Sequence, residues 1–509
     1  MARCWYYQGC RLFATATLAG YLFAAGLSVE ALAQDGSGAT AALPGDDVQV
    51  SGIDLPRPLD AINADRYRDI FRLQAAGNFR AADRVIEELT DLSLLGYVLA
   101  DRYLSPTYIS RPKELSDWLR RYDTLADARA IYQLAQLKGA TNLAEPQINA
   151  VHVGSPDESY NDRDTNWLAG LEAWRRGDFA KAAASFIKDG QDPENNSWDK
   201  AKSAFWAARA YLRARQPDKV SPLLRQAAKY PLTFYGQLAA RALGIEPHVD
   251  WSAPKFARAH GQLLLKTRSG KRALALIQVG QLAAAEKELL LLESKAKDSV
   301  DEALLGVAEI ARMPSLALKM GATQRLYADS VIPAALFPVP RWEPRGGFIV
   351  DRALLYAIMR QESGFNPLAV SGDGALGLMQ IMPETGKKLG YDTAQLKNPR
   401  LAIAAGQKYI AKLLRNNLVG NDVILMAVAY NAGAGNLQKW KGEQHAMDDA
   451  LLFVETLPSK ETRQFVKRIL AAYWIYQERL GQEAPTLKAL ATGGWSQYVG
   501  QDGKATASK

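Results

Sequence analysis

The 509-residue chain holds only two cysteines, Cys4 and Cys10, and four histidines. Both cysteines fall within the first 33 residues, which read as an export leader, so the mature chain would hold none. Such a chain forms no disulfide and offers no thiolate as nucleophile or metal ligand. With histidine this scarce, no His, Asp and Glu fall together at ligand spacing, and neither a metal nor a cofactor is expected. Long apolar runs are missing too. After the stretch Leu12 to Leu27, no segment is long enough to cross a bilayer. Runs of β-branched residues are scarce while Ala and Leu abound, which favours helix nearly everywhere and excludes an extensive sheet. Hydrophobic residues still make up 48%, enough for an ordinary core. The length points to two or more domains.

The leader has the three parts that export requires. Arg3 and Arg11 are positive, Leu12–Leu27 is apolar, and Ala31-Leu32-Ala33 puts small residues where a signal peptidase inspects them, so cleavage is expected before Gln34. The apolar run is short of the roughly 20 residues of a membrane span. No cysteine follows it where an acylated residue would stand. The mature chain is therefore expected to be soluble in the periplasm, with no transmembrane anchor. Net charge is +8 for the whole chain, and the leader contributes little of it. A modest positive excess suits a polyanionic partner. An exported chain without a basic stripe is not a nucleic-acid binder.

Residues 34–54 are rich in Gly, Ala, Asp and Pro and read as a flexible lead-in. From 55 to 335 helix follows helix. A signature recurs there: Gly77-Asn78-Phe79 before Ala81-Ala82, Gly177-Asp178-Phe179 before Ala182-Ala183, and Gly280-Gln281-Leu282 before Ala284-Ala285. Gly ends one helix in a left-handed turn, the aromatic or Leu plugs the corner, and small Ala residues let the next helix pack closely. Stacked hairpins of this kind build an α-superhelix. The copies are irregularly spaced, so an irregular α-bundle remains the alternative. Pro333, Pro338, Pro340 and Pro344 then stop helices and stiffen a connection, which places the main boundary before a second helical domain at 346–485. Residues 486–509 read as a C-terminal tail, polar and Gly-rich from about 490.

Four stretches of the second domain carry candidate chemistry. Asp351 is a favoured N-cap, and Leu354, Leu355, Ile358 and Met359 give the following helix an apolar face. Glu362 falls on that face, just before Gly364 and Asn366-Pro367 end the helix. Burial disfavours an ionised carboxylate, so Glu362 is either a general acid with a raised pKa or a structural glutamate satisfied by backbone donors. In Gly374-Ala375-Leu376-Gly377-Leu378-Met379-Gln380, two glycines permit a tight turn. Gln380 offers a donor and an acceptor to sugar hydroxyls or amides, and Met379 is either core or an adaptable groove wall. Tyr430 ends an apolar helix face as the chain turns at Asn431 and Gly433. It is an amphipathic core residue or a groove residue. Glu461 lies in the first turn of a long helix, where the helix dipole alone would explain it. A role in chemistry requires that it face the groove.

Together, in this order, Glu362-Ser363, Gly377-Leu378-Met379-Gln380-Ile381-Met382-Pro383, Ala429-Tyr430-Asn431-Ala432-Gly433 and Glu461-Thr462-Arg463 resemble the Slt-type soluble lytic transglycosylases. A weaker likeness at Tyr230-Pro231 and Phe234-Tyr235-Gly236 resembles the end of that family's superhelix. Phe465 departs from the pattern, standing where the family commonly has Tyr. The resemblance implies an all-α fold, a lysozyme-like catalytic domain following an α-superhelix. It implies peptidoglycan glycan strands as substrate, cut between N-acetylmuramic acid and N-acetylglucosamine. Glu362 would be the sole catalytic acid and base, with Ser363, Met379, Gln380, Tyr430, Asn431 and Glu461 binding substrate. No metal or cofactor is implied, and the superhelix could engage cell-wall protein partners. Asp373, the nearest downstream candidate for a second catalytic carboxylate, sits between two glycines and is assigned to the turn. A hydrolytic muramidase would need a water-positioning carboxylate, and a non-catalytic scaffold would have no use for a buried acid.

Overall fold

The computed structural model describes residues 54–148, 165–246, 249–292, 297–327, 331–443 and 447–502, all within the compact unit Ala39–Lys509. The expected leader, the lead-in up to residue 53 and the last residues, 503–509, lie outside the described residues. Among the described residues the chain is all-α, with three isolated β-bridges and no strand. None of these helices is long and apolar enough to cross a membrane.

The recurring glycine signature has the same geometry three times. Gly77, Gly177 and Gly280 have φ of 72°, 77° and 80°. The next residue's N–H reaches back to the carbonyl five residues earlier: Asn78 to Leu73 at 2.8 Å, Asp178 to Ala173 at 2.9 Å, Gln281 to Leu276 at 2.8 Å. These bonds satisfy carbonyls that the helix end leaves open. Each turn joins a hairpin: Ala61–Ala75 with Phe79–Glu87, Thr165–Arg175 with Phe179–Gly190, Arg268–Gln278 with Leu282–Leu289. Ala82, Ala182, Ala183 and Ala285 are fully buried where the paired helices meet.

The buried apolar residues form two clusters; one lies within 55–335, and the other crosses the boundary expected near the prolines. One joins helices between residues 59 and 135 to residues 256–335. The other joins residues 167–239 to the C-terminal helices as far as Leu490. Phe234 stacks on Trp474 with ring centroids 5.2 Å apart, and the Gln237 amide donates to the Ala471 carbonyl at 3.1 Å. The proline segment runs across the C-terminal helices. The Pro338 and Pro340 carbonyls accept from the hydroxyls of Tyr476 and Tyr356, at 3.0 and 3.1 Å.

Two expectations need correction. Asp351 precedes its helix but makes no side-chain cap. Its carboxylate instead accepts from the backbone N–H groups of Gln501 and Asp502, at 2.7 and 3.0 Å, and from the Tyr473 hydroxyl at 3.2 Å. The residues expected as a tail are therefore structured as far as 502. They form the helix Pro485–Ala491, bury Ser496 and Gln501, and bond the start of the Tyr430 helix through Ser496. Trp495 and Tyr498, packed on the core, supply the apolar area that a polar composition hid.

Candidate functional site

Glu362 stands in the last turn of the helix Arg352–Ser363, whose residues from Ala353 to Arg360 are all buried. Gly364 ends the helix with φ 55°. Phe365 keeps the left-handed conformation, φ 64°, with its ring 1% exposed. A bulky residue at positive φ is strained, and the buried ring holds it there. The Asn366 N–H then bonds the Ser363 carbonyl at 3.1 Å. Glu362 ends up half-buried at the helix end rather than in the core. No hydrogen bond or ion pair from a described residue reaches its carboxyl group, so the structural alternative, a glutamate satisfied by backbone donors, has no support there.

Against it lies the turn 369–381. Gly377 has φ 71°, donates to the Ala369 carbonyl at 2.9 Å, and comes so close to the Leu396 carbonyl that a Cβ would lie 1.9 Å from it. Gln380, at φ 43°, closes the turn by donating its side-chain amide to the Gly377 carbonyl at 2.9 Å. The Ser363 hydroxyl ties the end of the Glu362 helix to the turn through the Leu378 carbonyl at 2.9 Å. The Met359 carbonyl, 3.1 Å away, is its other acceptor, so its single proton is engaged within the protein. Met379 takes the core alternative: its side chain is fully buried against Gly406, and its carbonyl is the part that meets the site.

That carbonyl accepts a 2.6 Å bond from the Tyr430 hydroxyl. Tyr430 stands near the end of the helix Val423–Ala432, with its ring 5.3 Å from Tyr409 and lying parallel to Phe465 at 6.3 Å. Asn431 accepts from the Thr462 hydroxyl at 2.7 Å and points its amide at Glu461, 3.4 Å away. Glu461 is exposed in the first turn of the helix Lys460–Arg479, capped by Ser459.

Burial raises the Glu362 carboxyl to about 8, and the negative charge of Glu461 adds to the effect. Tyr430 is pushed well above its ordinary value by burial, then by the charge of Glu362. These effects place both Glu461 and Tyr430 within electrostatic reach of Glu362. Asp373 is exposed in its turn. Among the described residues no cluster of His, Cys, Asp and Glu could hold a metal ion. A cavity of about 50 Å³ lies elsewhere, lined by Leu305, Met313, Pro338 and Pro340 among others, and includes none of these groups. Sequence reasoning missed Phe365 and Tyr409. Nothing in a sequence marks a strained phenylalanine, whereas Tyr409 lies seven residues after Ala402 on a buried helix face.

The family model described as Transglycosylase SLT domain matches residues 345–453, which include every site residue above except Glu461 and its helix. The soluble lytic murein transglycosylase of Escherichia coli is 38% identical over 146 residues, 27% of this chain and 22% of that protein. The alignment thus spans less than a quarter of that relative. The crystal structure of the 70-kDa soluble lytic transglycosylase from Escherichia coli aligns with TM-score 0.54 at 22% identity, covering 87% of this chain and 75% of that one. A lytic transglycosylase from Pseudomonas aeruginosa, solved as an inactive Glu-to-Gln mutant, aligns with TM-score 0.51 at 23% identity over 83% of this chain and 74% of that one. The fold is thus the all-α one expected, an α-superhelical region followed by a lysozyme-like domain.

Proposed function

We propose that the protein is a peptidoglycan lytic transglycosylase that uses Glu362 first as acid and then as base. The observation that carries this is the Glu362 carboxyl itself: half-buried at its helix end, without a hydrogen-bond partner among the described residues, and raised by burial to about 8. A neutral carboxyl of that kind can protonate a leaving glycosidic oxygen at neutral pH. The resulting carboxylate then takes the proton of the C6 hydroxyl on the same N-acetylmuramic residue. That oxygen bonds C1 and leaves a 1,6-anhydro end, with no water consumed. The substrate's N-acetyl group would stabilise the cation in place of a nucleophilic carboxylate.

Tyr430 and Asn431 wall the groove, while Ser363, Gln380 and the Met379 carbonyl shape it. Burial keeps Glu362 protonated, and the charge of Glu461 adds to the effect. The catalytic domain of this reading begins near 346, and the superhelical region of 55–335 offers surface to cell-wall protein partners. The leader would deliver the chain to the periplasm. One observation favours a second reading: Glu461 is a second carboxylate near the acid, and could orient a water for hydrolysis.

The test is mass spectrometry of purified peptidoglycan after digestion with the protein and with Glu362→Gln. The expected products are lighter than hydrolysed muropeptides by one water and absent with the variant. Equal release by the variant removes Glu362 from the chemistry.

A further inference from the structure

The helix Lys460–Arg479 has two working faces. Glu461 and Phe465 look toward Asn431 and Tyr430. Lys467, two residues beyond Phe465, is turned by roughly 200° about the axis. It is completely buried and pairs with Glu455, itself 5% exposed, at 3.0 and 3.2 Å. Ala471 and Trp474 continue that face and contact Gln237 and Phe234 of the helix Phe234–Ala242. From the same helix the fully buried Tyr235 donates its hydroxyl to Glu455 at 2.5 Å.

Glu455 lies near the end of the short helix Ala450–Thr456, just before the loop that leads to Glu461. The start of that helix is held as well. Its N-cap Asp449 pairs with Arg209 at 2.7 Å, and the Arg209 guanidinium lies 4.5 Å from the centre of the Trp206 ring. Both ends of a strut that delivers Glu461 are thus gripped by side chains from the hairpin region. Buried ion pairs add little net stability against apolar replacements, because desolvation offsets their attraction. What such a pair does supply is a fixed register.

We propose that Tyr235, acting through the buried Glu455–Lys467 pair, is a positioning residue that sets where Glu461 and Phe465 stand against Glu362 and Tyr430. This rests on the reading of the groove as a transglycosylase site. The hairpin region is then a working part of the catalytic machinery: it holds one wall of the groove from behind. A rigid helix carries any shift of its Lys467 face to Glu461.

The experiment compares wild type, Tyr235→Phe and the double variant Glu455→Leu with Lys467→Met on soluble, uncross-linked glycan strands. Ile131→Val, in the other core cluster, serves as a control for loss of stability alone. Both test proteins are expected to lose about 5- to 10-fold in kcat with KM within about twofold, as for a displaced catalytic group, while the control keeps its kcat. A readout without turnover follows the Glu362 carboxyl by carbon NMR, assigned with Glu362→Gln. The charged group acting on it is Glu461; its own charge acts in turn on Tyr430, which Tyr409 also faces. In Tyr235→Phe its midpoint is expected to move by about half a pH unit or more as Glu461 shifts. A lower Tm with unchanged kcat and midpoint would make the contact simple glue and overturn the proposal. If wild type cleaves nothing, the proposed function fails and the midpoint alone decides: a shift sustains the positioning role, and an unchanged midpoint overturns it.

Discussion

At Glu362 two influences push the same way. Burial is the larger and the charge of Glu461 the smaller, and both favour the protonated form needed to start the reaction. Activity is therefore expected to fall as pH rises through about 8, where the acid is lost. Glu461→Gln removes only the smaller influence. Its alkaline limb in a kcat/KM profile should move toward acid yet stay above the ordinary carboxylate range. An unmoved limb would show that Glu461 does not act on Glu362. Helical periodicity and the Gly364 stop made the place of Glu362 at a helix end legible in the sequence, because both are local. The directions taken by Ser363 and Met379 were not. The residue types allow a groove role, and only the neighbouring turn turns the serine proton inward and buries the methionine.

Among the elements, the turn 369–381 sets the height of the groove floor. Gly377 sits there for two physical reasons at once, a positive φ and the near contact with the Leu396 carbonyl. Gly377→Ala adds a Cβ that backbone cannot make way for, so a loss of roughly 3 kcal/mol or more is expected. Urea denaturation followed by circular dichroism measures it, and a change below about 1 kcal/mol would contradict the account. The glycine pair announced the tight turn in the sequence, and the Gly-Phe-Ala signatures announced the hairpins, since both are rules of one or two turns of chain. Asp351 misled for the same reason. Its residue type fits an N-cap, but partners 150 residues away claim its carboxylate.

Over the whole molecule, one of the two cores crosses the expected domain border. A sequence shows where helices stop, and the proline cluster does mark a connection. It does not show which faces meet, and here Phe234, Tyr235 and Gln237 complete the core of the C-terminal helices. A fragment beginning at residue 331 would uncover Trp474 and leave the Glu455–Lys467 pair without its tyrosine. It is expected to melt well below the full chain and to aggregate, as thermal unfolding with light scattering would reveal. Equal melting temperatures would mean that the two regions are independent.

The central claim is that the groove cleaves without water. Digestion of peptidoglycan in heavy-oxygen water, followed by mass spectrometry of the released ends, tests it most directly. The account predicts anhydro ends that carry no heavy oxygen. Heavy oxygen at new reducing ends would contradict it and give Glu461 the part of a water-positioning base.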